Sequence, residues 1–444
     1  MSTIKRILIA NRGEIALRAI RTIKEMGKQA IAVYSTADKD ALYLQLADAS
    51  ICIGGEKSSQ SYLSIPSIIS AAEISECDAI FPGYGFLSEN QNFVEICEHH
   101  KIKFIGPSAD AMIMMSDKSK AKDVMKKAGV PVIPGSDGAL IDLHDAYKNA
   151  DEIGYPVIIK AAAGGGGRGM RVVERKEDLE KLYLAAESEA ITAFGDGTLY
   201  MEKFIKKPRH IEVQVMGDKY RNAIHIGERD CSMQRRHQKL IEESPAILLD
   251  EDTRKRLHDT AIRATQAIGY EGAGTFEFLV DENKNFYFME MNTRLQVEHC
   301  VSEMVSGLDI IEWMIRVAEG EKLPSQESIK LQGHSIECRI TAEDPVRFIP
   351  SPGKISKYIT PGGRNVRMDS HAYQGYVVPS YYDSMIGKLI VWGEDRTRAI
   401  AKMKQALSEL TIEGISCTKT FHQKMMENQD FIDNNYDTNY LSNH

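Results

Sequence analysis

The chain has 444 residues, 43 % of them hydrophobic and 27 % charged, with a formal net charge of −8 at pH 7. That length suggests about three domains of ordinary size, and the acidic balance, with a sequence pI near 5.9, excludes wholesale binding to nucleic acid or to an anionic membrane. No apolar run is long enough to span a bilayer, the apolar start is too short for a signal peptide, and the 7 cysteines include no C-x-x-C. The composition reads as a reduced, cytoplasmic, globular enzyme.

Lys5–Ala10 reads as a buried strand, Gly13–Glu25 as an amphipathic helix and Ala30–Tyr34 as a second strand. This βαβ opening implies a parallel sheet. The first turn, Asn11-Arg12-Gly13-Glu14, lacks the G-x-G-x-x-G fingerprint. Residues 1–115 are therefore read as a Rossmann-like domain without a dinucleotide. Tyr84 and Gly85 follow an apolar run, where they either line a cleft or simply make a turn. Met112–Ala128 is expected as one helix bearing Lys118, Lys120 and Lys122, and the prolines of Gly129–Ser136 make an extended connector.

Val157–Lys160 and Met170–Val173 read as strands around a run of four glycines, Gly164–Gly167. Glycines let backbone N–H groups close on phosphate oxygens. There is no G-K-[ST], and a strand follows, so this is not a Walker loop. Lys160 before the run and Arg168 within it favour a mobile flap over a plain turn. Glu177–Phe194 reads as a helix and Leu199–Lys203 as a strand, so residues 116–203 read as a linker and a small glycine-rich lid domain, the lid itself from about residue 130.

His210–Val215 alternates, with His210, Glu212 and Gln214 on one face. That face is either solvated or the floor of a cleft. After a strand at Ala223–Gly227, Glu228–Lys239 is expected as a charged loop. Its Arg235, Arg236, His237 and Lys239 form a local basic cluster suited to phosphate or bicarbonate. Cys231 has no identifiable activating partner and reads as a packed residue. Asp252–Ile268 is helical and leads into a hairpin of Gly274–Val280 and a strand from Asn285. Glu277 and Glu290 fall on one face of that hairpin, and Glu290 and Asn292 share a strand face. Hard oxygen ligands so placed suit Mg²⁺. Solvated glutamates are the plainer alternative, but Phe288 on the same face argues for burial. Arg294, Gln296 and Glu298 alternate beyond Asn292 as groups for a second, anionic reactant. Ser306–Glu319 is expected as a helix, His334–Thr341 as a strand with Glu337 and Arg339 on one face, Leu389–Trp392 as a strand and Arg396–Leu410 as a helix. The polar tail after Met425 is expected to fray.

Seven motifs in order carry a resemblance: I-A-N-R-G-E-I-A at 9–16, F-P-G-Y-G-F-L-S-E-N at 81–90, G-G-G-G-R-G-M at 164–170, E-R-D-C-S-M-Q-R-R-H-Q-K at 228–239, G-A-G-T-F-E-F at 272–278, E-M-N-T-R-L-Q-V-E-H at 290–299 and Y-Y-D-S-M-I-G-K-L at 381–389. The chain resembles the biotin carboxylases of the ATP-grasp superfamily from Ile7 to about Leu410. The resemblance implies an α/β and α+β architecture, with a Rossmann-like N-terminal domain followed by an ATP-grasp fold. Its parts are the lid, an ATP-grasp core at 204–330 and a C-terminal domain at 331–444. ATP is then expected between the lid and the C-terminal domain. Lys118, Lys160, Gly166, Gly167 and His210 would contact the nucleotide, and Glu202, Lys203, Phe204 and Ile205 its adenine and ribose. Gln234 and His237 would lie near the ribose or phosphates. Glu277, Glu290 and Asn292 would hold Mg²⁺ or Mn²⁺, with Glu277 and Glu290 also counted in the ATP site. Lys239, Arg294, Gln296 and Val297 would position bicarbonate. Glu298 would take its proton, and Arg339 would bind biotin and stabilise its enolate-like oxygen. Ala163, where some members carry glycine, implies a slightly stiffer flap.

By the same resemblance, the reaction is ATP- and bicarbonate-dependent carboxylation of biotin through carboxyphosphate, a ligase activity. The sequence A-K-M-K at 401–404 falls inside an expected helix, so it is rejected as a biotinylation hairpin, and no carboxyltransferase region is read. The expected partners are a separate biotin carboxyl carrier protein, carboxyltransferase subunits and a second copy of the chain. Acetyl-CoA carboxylase, in fatty acid synthesis, is the parent complex expected first, with pyruvate or 2-oxoglutarate carboxylase as the alternative. A different ATP-grasp ligase and a non-catalytic nucleotide-binding subunit are the competing readings. Arg294, Glu298 and Arg339 together argue against the first, and the intact set Glu277, Glu290, Asn292, Arg294 and Glu298 against the second.

Overall fold

The computed structural model describes residues 3–161 and 170–443. The glycine run, with Gly166, Gly167 and Arg168, lies outside the described residues. The chain separates into two compact units, one of Met1–Val130, Arg209–Phe278 and Glu290–His444, the other of Pro131–Pro208 and Leu279–Met289.

In the first unit Arg6–Ile9 is the central strand of a parallel five-stranded sheet. The order is Ala49–Gly54, Gln29–Ser35, Arg6–Ile9, Ala79–Phe81, Lys103–Phe104. Ile7 and Ile9 pack with Ile15 and Ile20 of the helix Gly13–Glu25, while Leu8 packs with Ile68 and Phe93. Apolar cover on both faces is why this strand is a continuous hydrophobic run. The turn Asn11–Gly13 is held by Asn11 Nδ2, which donates to the carbonyls of Pro82 and Tyr84 at 2.8 Å each. Gly13 and Gly83 take φ of +72° and +65° there, a left-handed conformation glycine adopts without strain.

A second sheet has eight strands and holds most of the candidate site residues. Its order is Phe286–Asn292, Gly272–Val280, Arg209–Gly217, Ala223–Arg235, Gln238–Ser244, His334–Thr341, Met385–Gly393, Val366–Ser370. Glu228–Lys239 is thus not a loop. Ala223–Arg235 is one strand that reverses at Arg236-His237 into Gln238–Ser244. The charged residues tolerate the sheet because they are buried against opposite charge on neighbouring strands. The basic cluster also disperses. The Arg235 guanidinium stacks on Phe348 at 4.5 Å, Arg236 and His237 are exposed at the turn, and Lys239 faces inward.

Three further expectations are corrected. Met112–Ala128 is two helices, Ala109–Ser116 and Lys118–Lys127. Asp117 between them is extended, and its Oδ1 accepts from the Lys120 N–H at 3.1 Å, starting the second helix. Ser306–Glu319 is the end of His299–Ser306, closed by left-handed Gly307, followed by Ile310–Ala318, capped by Asp309. The tail does not fray. Phe431 is fully buried, and Arg396 donates to the Phe431 and Ile432 carbonyls at 2.7 Å each. The Tyr436 hydroxyl donates to Glu243 at 2.7 Å. Aromatic anchors and two buried arginines, Arg209 and Arg396, overcome the polar composition of the tail.

The second unit is a three-stranded antiparallel sheet, Met170–Val173, Val157–Ala161, Leu199–Lys203. Leu179, Ala186 and Ala190 of the helix Leu179–Phe194 close its core against Val157, Ile159 and Met201.

Candidate active site

In the first unit, the alternating polar residues of Arg209–Gly217 are buried, not solvated: Glu212 and Gln214 have no exposed surface. Arg229 on the neighbouring strand is also fully enclosed. All of its donors are used. Nε reaches Glu212 at 2.5 Å, Nη1 reaches Gln214 at 2.6 Å and Ser302 at 3.0 Å, and Nη2 reaches Thr275 at 3.1 Å and Gln296 at 2.8 Å. A buried guanidinium needs such complete pairing to offset its lost hydration.

Lys239 occupies the centre. Its ammonium lies 2.6 Å from Glu212, 2.9 Å from Glu277 and 2.6 Å from Glu298. Burial lowers its proton affinity, but Glu212, Glu298 and Glu277 outweigh that and hold it well above the ordinary lysine range. Glu277 Oε1 also accepts from Asn292 and Gln296 at 2.9 Å each, and its Oε2 lies 3.1 Å from His210 Nε2. Burial raises the Glu277 carboxyl, yet Lys239 and His210 hold it well below the usual range. Of the two hairpin carboxylates expected to be buried, Glu277 is, and its compensating cation is in part the protein's own lysine; Glu290 is exposed and solvated, which corrects that expectation for it.

Glu298 is buried, with Arg339 Nη2 at 3.0 Å on the oxygen opposite Lys239. Burial raises its pKa; Lys239, Arg339 and Arg229 together hold it well below the ordinary value. It is therefore a carboxylate, the form that can accept a proton. Arg339 Nε is fixed by Glu242 at 2.6 Å. Arg294 donates to Glu89 at 2.8 Å and to Asn292 Oδ1 at 3.0 Å. Val297 offers its carbonyl to Lys388 at 2.8 Å. Gln234 is buried opposite Lys239 in the strand pair, and Glu290 is exposed. Regular alternation ends at Asn292, so Arg294, Gln296 and Glu298 reach their partners from a turn, with Glu298 at the start of the helix His299–Ser306.

A cavity of about 470 Å³ in the same unit is lined by Glu14, Tyr84, Gly85, Val297, Arg339 and Tyr382 among others. Tyr84 and Gly85 thus line a cleft and also belong to a turn, where Gly85 takes a left-handed φ of +70° and its carbonyl accepts from the Ser88 N–H at 3.0 Å. The Tyr84 hydroxyl donates to Glu14, and Lys388 sits 3.2 Å from Glu14.

In the second unit Lys160 pairs with Glu202. The Lys203 ammonium caps the carbonyls of Gly154 and Tyr155 at 2.9 and 3.0 Å. Phe204 donates its N–H to Pro156 at 3.0 Å, and Ile205 is buried. Lys118 opens the helix Lys118–Lys127 of the first unit.

Sequence reasoning missed Arg229, Glu242, Glu337, Glu14 and Lys388 as members of the charged cluster, and left Glu212 undecided. The signal available was Glu337-Cys338-Arg339, two charged residues flanking an apolar one, which at strand spacing puts both charges on one face.

This geometry, a parallel module followed by an antiparallel-paired sheet with a clustered carboxylate–lysine–arginine site, defines an ATP-grasp enzyme. The chain matches the biotin carboxylase N-terminal domain over residues 3–112, the carbamoyl-phosphate synthase L chain ATP binding domain over 117–326 and the biotin carboxylase C-terminal domain over 337–443. It is 56 % identical to a biotin carboxylase of Nostoc, covering 98 % of each chain. Among solved structures it resembles a biotin carboxylase–ATP complex from Campylobacter jejuni, at 78 % identity, TM-score 0.90 and 99 % coverage of each chain. It also resembles the biotin carboxylase domain dimer of Hydrogenobacter thermophilus 2-oxoglutarate carboxylase with MgADP and bicarbonate, at 48 % identity and TM-score 0.89, covering 100 % of this chain and 98 % of that one. The chain belongs to the biotin carboxylase family. No helix among the described residues is long and apolar enough to cross a membrane.

Proposed function

We propose that this chain uses ATP and bicarbonate to carboxylate biotin borne by a separate carrier protein, as a cytoplasmic homodimer serving acetyl-CoA carboxylase. The observation that carries the reading is Lys239, bridging Glu212, Glu277 and Glu298, with Arg339 on the far oxygen of Glu298. Bicarbonate is a weak nucleophile that must lose a proton as it attacks the γ-phosphate. Lys239, Arg294, Gln296 and the Val297 backbone position it, and Glu298 takes the proton. An anion beside Lys239 and Arg339 draws their charge away from Glu298, which raises its basicity when it is needed.

Lys118, Lys160, His210, Gln234 and His237 bind the phosphates and ribose, with Gly166 and Gly167 of the flap. Glu202, Lys203, Phe204 and Ile205 bind the adenine side. The oxygen donors of Glu277, Glu290 and Asn292 suit Mg²⁺ or Mn²⁺, and the metal supplies neutralisation of phosphoryl charge when bound. Carboxyphosphate is hydrolysed readily by water, which gives flap closure a chemical purpose. Its breakdown yields CO₂ and phosphate. Phosphate or Glu298 then removes the biotin N1′ proton, and Arg339 stabilises the ureido oxygen. The resulting anion attacks CO₂.

The direct test supplies the purified chain with ATP, magnesium, labelled bicarbonate and free biotin. Biotin-dependent phosphate release with label fixed on biotin supports the reading; ATP cleavage indifferent to bicarbonate and biotin refutes it. A second reading, a subunit for 2-oxoglutarate or pyruvate carboxylation, draws on the Hydrogenobacter relative. Carboxyltransferase subunits that co-purify with the chain, assayed with each acceptor, separate the two.

A further inference from the structure

The strands Gln238–Ser244 and His334–Thr341 place Glu242 directly opposite Glu337. Both side chains are fully buried. Glu242 uses one oxygen on Arg339 Nε, at 2.6 Å. Its other oxygen, and both oxygens of Glu337, have no hydrogen-bond partner among the described residues. Like charges directly opposite in a sheet repel, and an unpaired buried carboxylate is far costlier than an unpaired buried acid.

The surroundings supply too little positive charge for both to ionise. On its own strand, Glu337 has Arg339, which is shared between Glu242 and Glu298. From the strand Met385–Gly393 it faces Ile390 in register, with Lys388 nearby. The Lys388 ammonium is already engaged by the Val297 carbonyl and Glu14, and Lys239, which also acts on Glu242, is shared among Glu212, Glu277 and Glu298. The helix His299–Ser306 contributes the Cys300 thiol, and the thiol of Cys338 also feels both glutamates. The helix Arg396–Glu409 packs apolar Ala399 and Met403 on the opposite side, against Ile336 and Cys338. Glu298 adds a third negative carboxylate.

We infer that Glu242 and Glu337 share one proton, held chiefly by Glu337, and that this buried acid pair is a positioning device for Arg339. With the proton in place, Glu242 stays ionised and fixes the guanidinium while no further negative charge opposes the developing charge on substrate. Loss of the proton puts a second uncompensated carboxylate beside Arg339 and weakens its stabilisation of an anion. Burial, then Glu242 and Glu298, push the Glu337 carboxyl well above the ordinary range despite Lys388. Glu242 itself is raised to about 7, by burial first and against Arg339. The two titrate as a coupled pair. This inference rests on the proposed role of Arg339.

The test reads the infrared carbonyl stretch of protonated carboxyl groups in the whole protein, without substrate. The wild type should show a buried protonated-carboxyl band that persists above neutral pH. Glu337→Gln should abolish that band. Glu242→Gln, by removing the opposing charge, should make the band titrate at lower pH than in the wild type. Absence of the band from the wild type, or its survival in Glu337→Gln, overturns the inference. The spectra need no activity, so they succeed or fail independently of the functional reading. Kinetically, Glu337→Gln should change the pH profile of biotin-dependent turnover and not only its maximum. It should lose the alkaline decline in biotin-dependent turnover that ionisation of Glu337 imposes on the wild type. An unchanged alkaline limb overturns the positioning role.

Discussion

Replacing Arg229 by methionine removes a fully enclosed cation all of whose donors are paired. Five hydrogen bonds disappear, from Glu212, Gln214, Ser302, Thr275 and Gln296. Glu212 keeps Lys239 but loses its 2.5 Å partner, while remaining without exposed surface. Breaking a buried ion pair by removing one member costs roughly 3–5 kcal/mol, because the other charge stays buried. At about 2–4 °C per kcal/mol for a unit of a few hundred residues, the thermal midpoint should fall by on the order of 10 °C. Arg229→Lys should recover only part of this, since an ammonium has three donors and cannot span the five acceptors. Arg256→Ala is the control. Its ion pair with Asp252 is exposed on both sides, so it should cost less than about 1 kcal/mol. Calorimetry of the three variants decides the matter. An Arg229→Met midpoint indistinguishable from that of Arg256→Ala would refute the view that this guanidinium neutralises the site floor.

Arg339→Ala should depress biotin carboxylation at least about 10-fold more than biotin-independent ATP cleavage, about 1.4 kcal/mol of selective loss; equal loss of both activities would contradict its assignment to the biotin oxygen. Acid sensitivity should begin in mild acid. Burial holds His299 and His371 down at about 3, so below about 6.5 the unfolded chain binds protons that the native one refuses. The contribution of these two neutral histidines to stability is then full above that pH and is lost progressively as pH falls toward 3. His371→Gln should flatten the decline in thermal midpoint between about pH 6.5 and 4.5; an unaltered slope would exclude His371 as a contributor.

Local patterns made much of the fold legible. The apolar run Lys5–Ala10 with its amphipathic helix, the hairpin at Gly274–Asn292 and the strand at His334–Thr341 all follow from periodicity and turn residues. Charge patterning was less informative. Glu228–Lys239 read as a loop because a sequence does not display compensation across strands. Arg229 finds Glu212 on the next strand, and Lys239 finds acids from positions 212, 277 and 298. Helix ends set by one residue, Asp117 or Gly307, are hidden by the longer helical periodicity around them. The anchored tail depends on Arg209 and Arg396, far away in sequence, so its order was invisible locally. Within the site, Glu277, Asn292, Lys239, Gln296, Glu298 and Arg339 converge as one bonded set. The sequence places Glu337 beside Arg339 on one strand face, but its opposition to Glu242 depends on a register that only the folded sheet reveals.

The most direct measurement of the central claim follows oxygen from isotopically labelled bicarbonate during ATP cleavage. If Glu298 and Lys239 ready bicarbonate for attack on the γ-phosphate, labelled oxygen appears in the inorganic phosphate released by the wild type, and Glu298→Gln strongly reduces that transfer while still binding ATP. Phosphate that carries oxygen only from solvent water, in wild type and variant alike, would contradict the account.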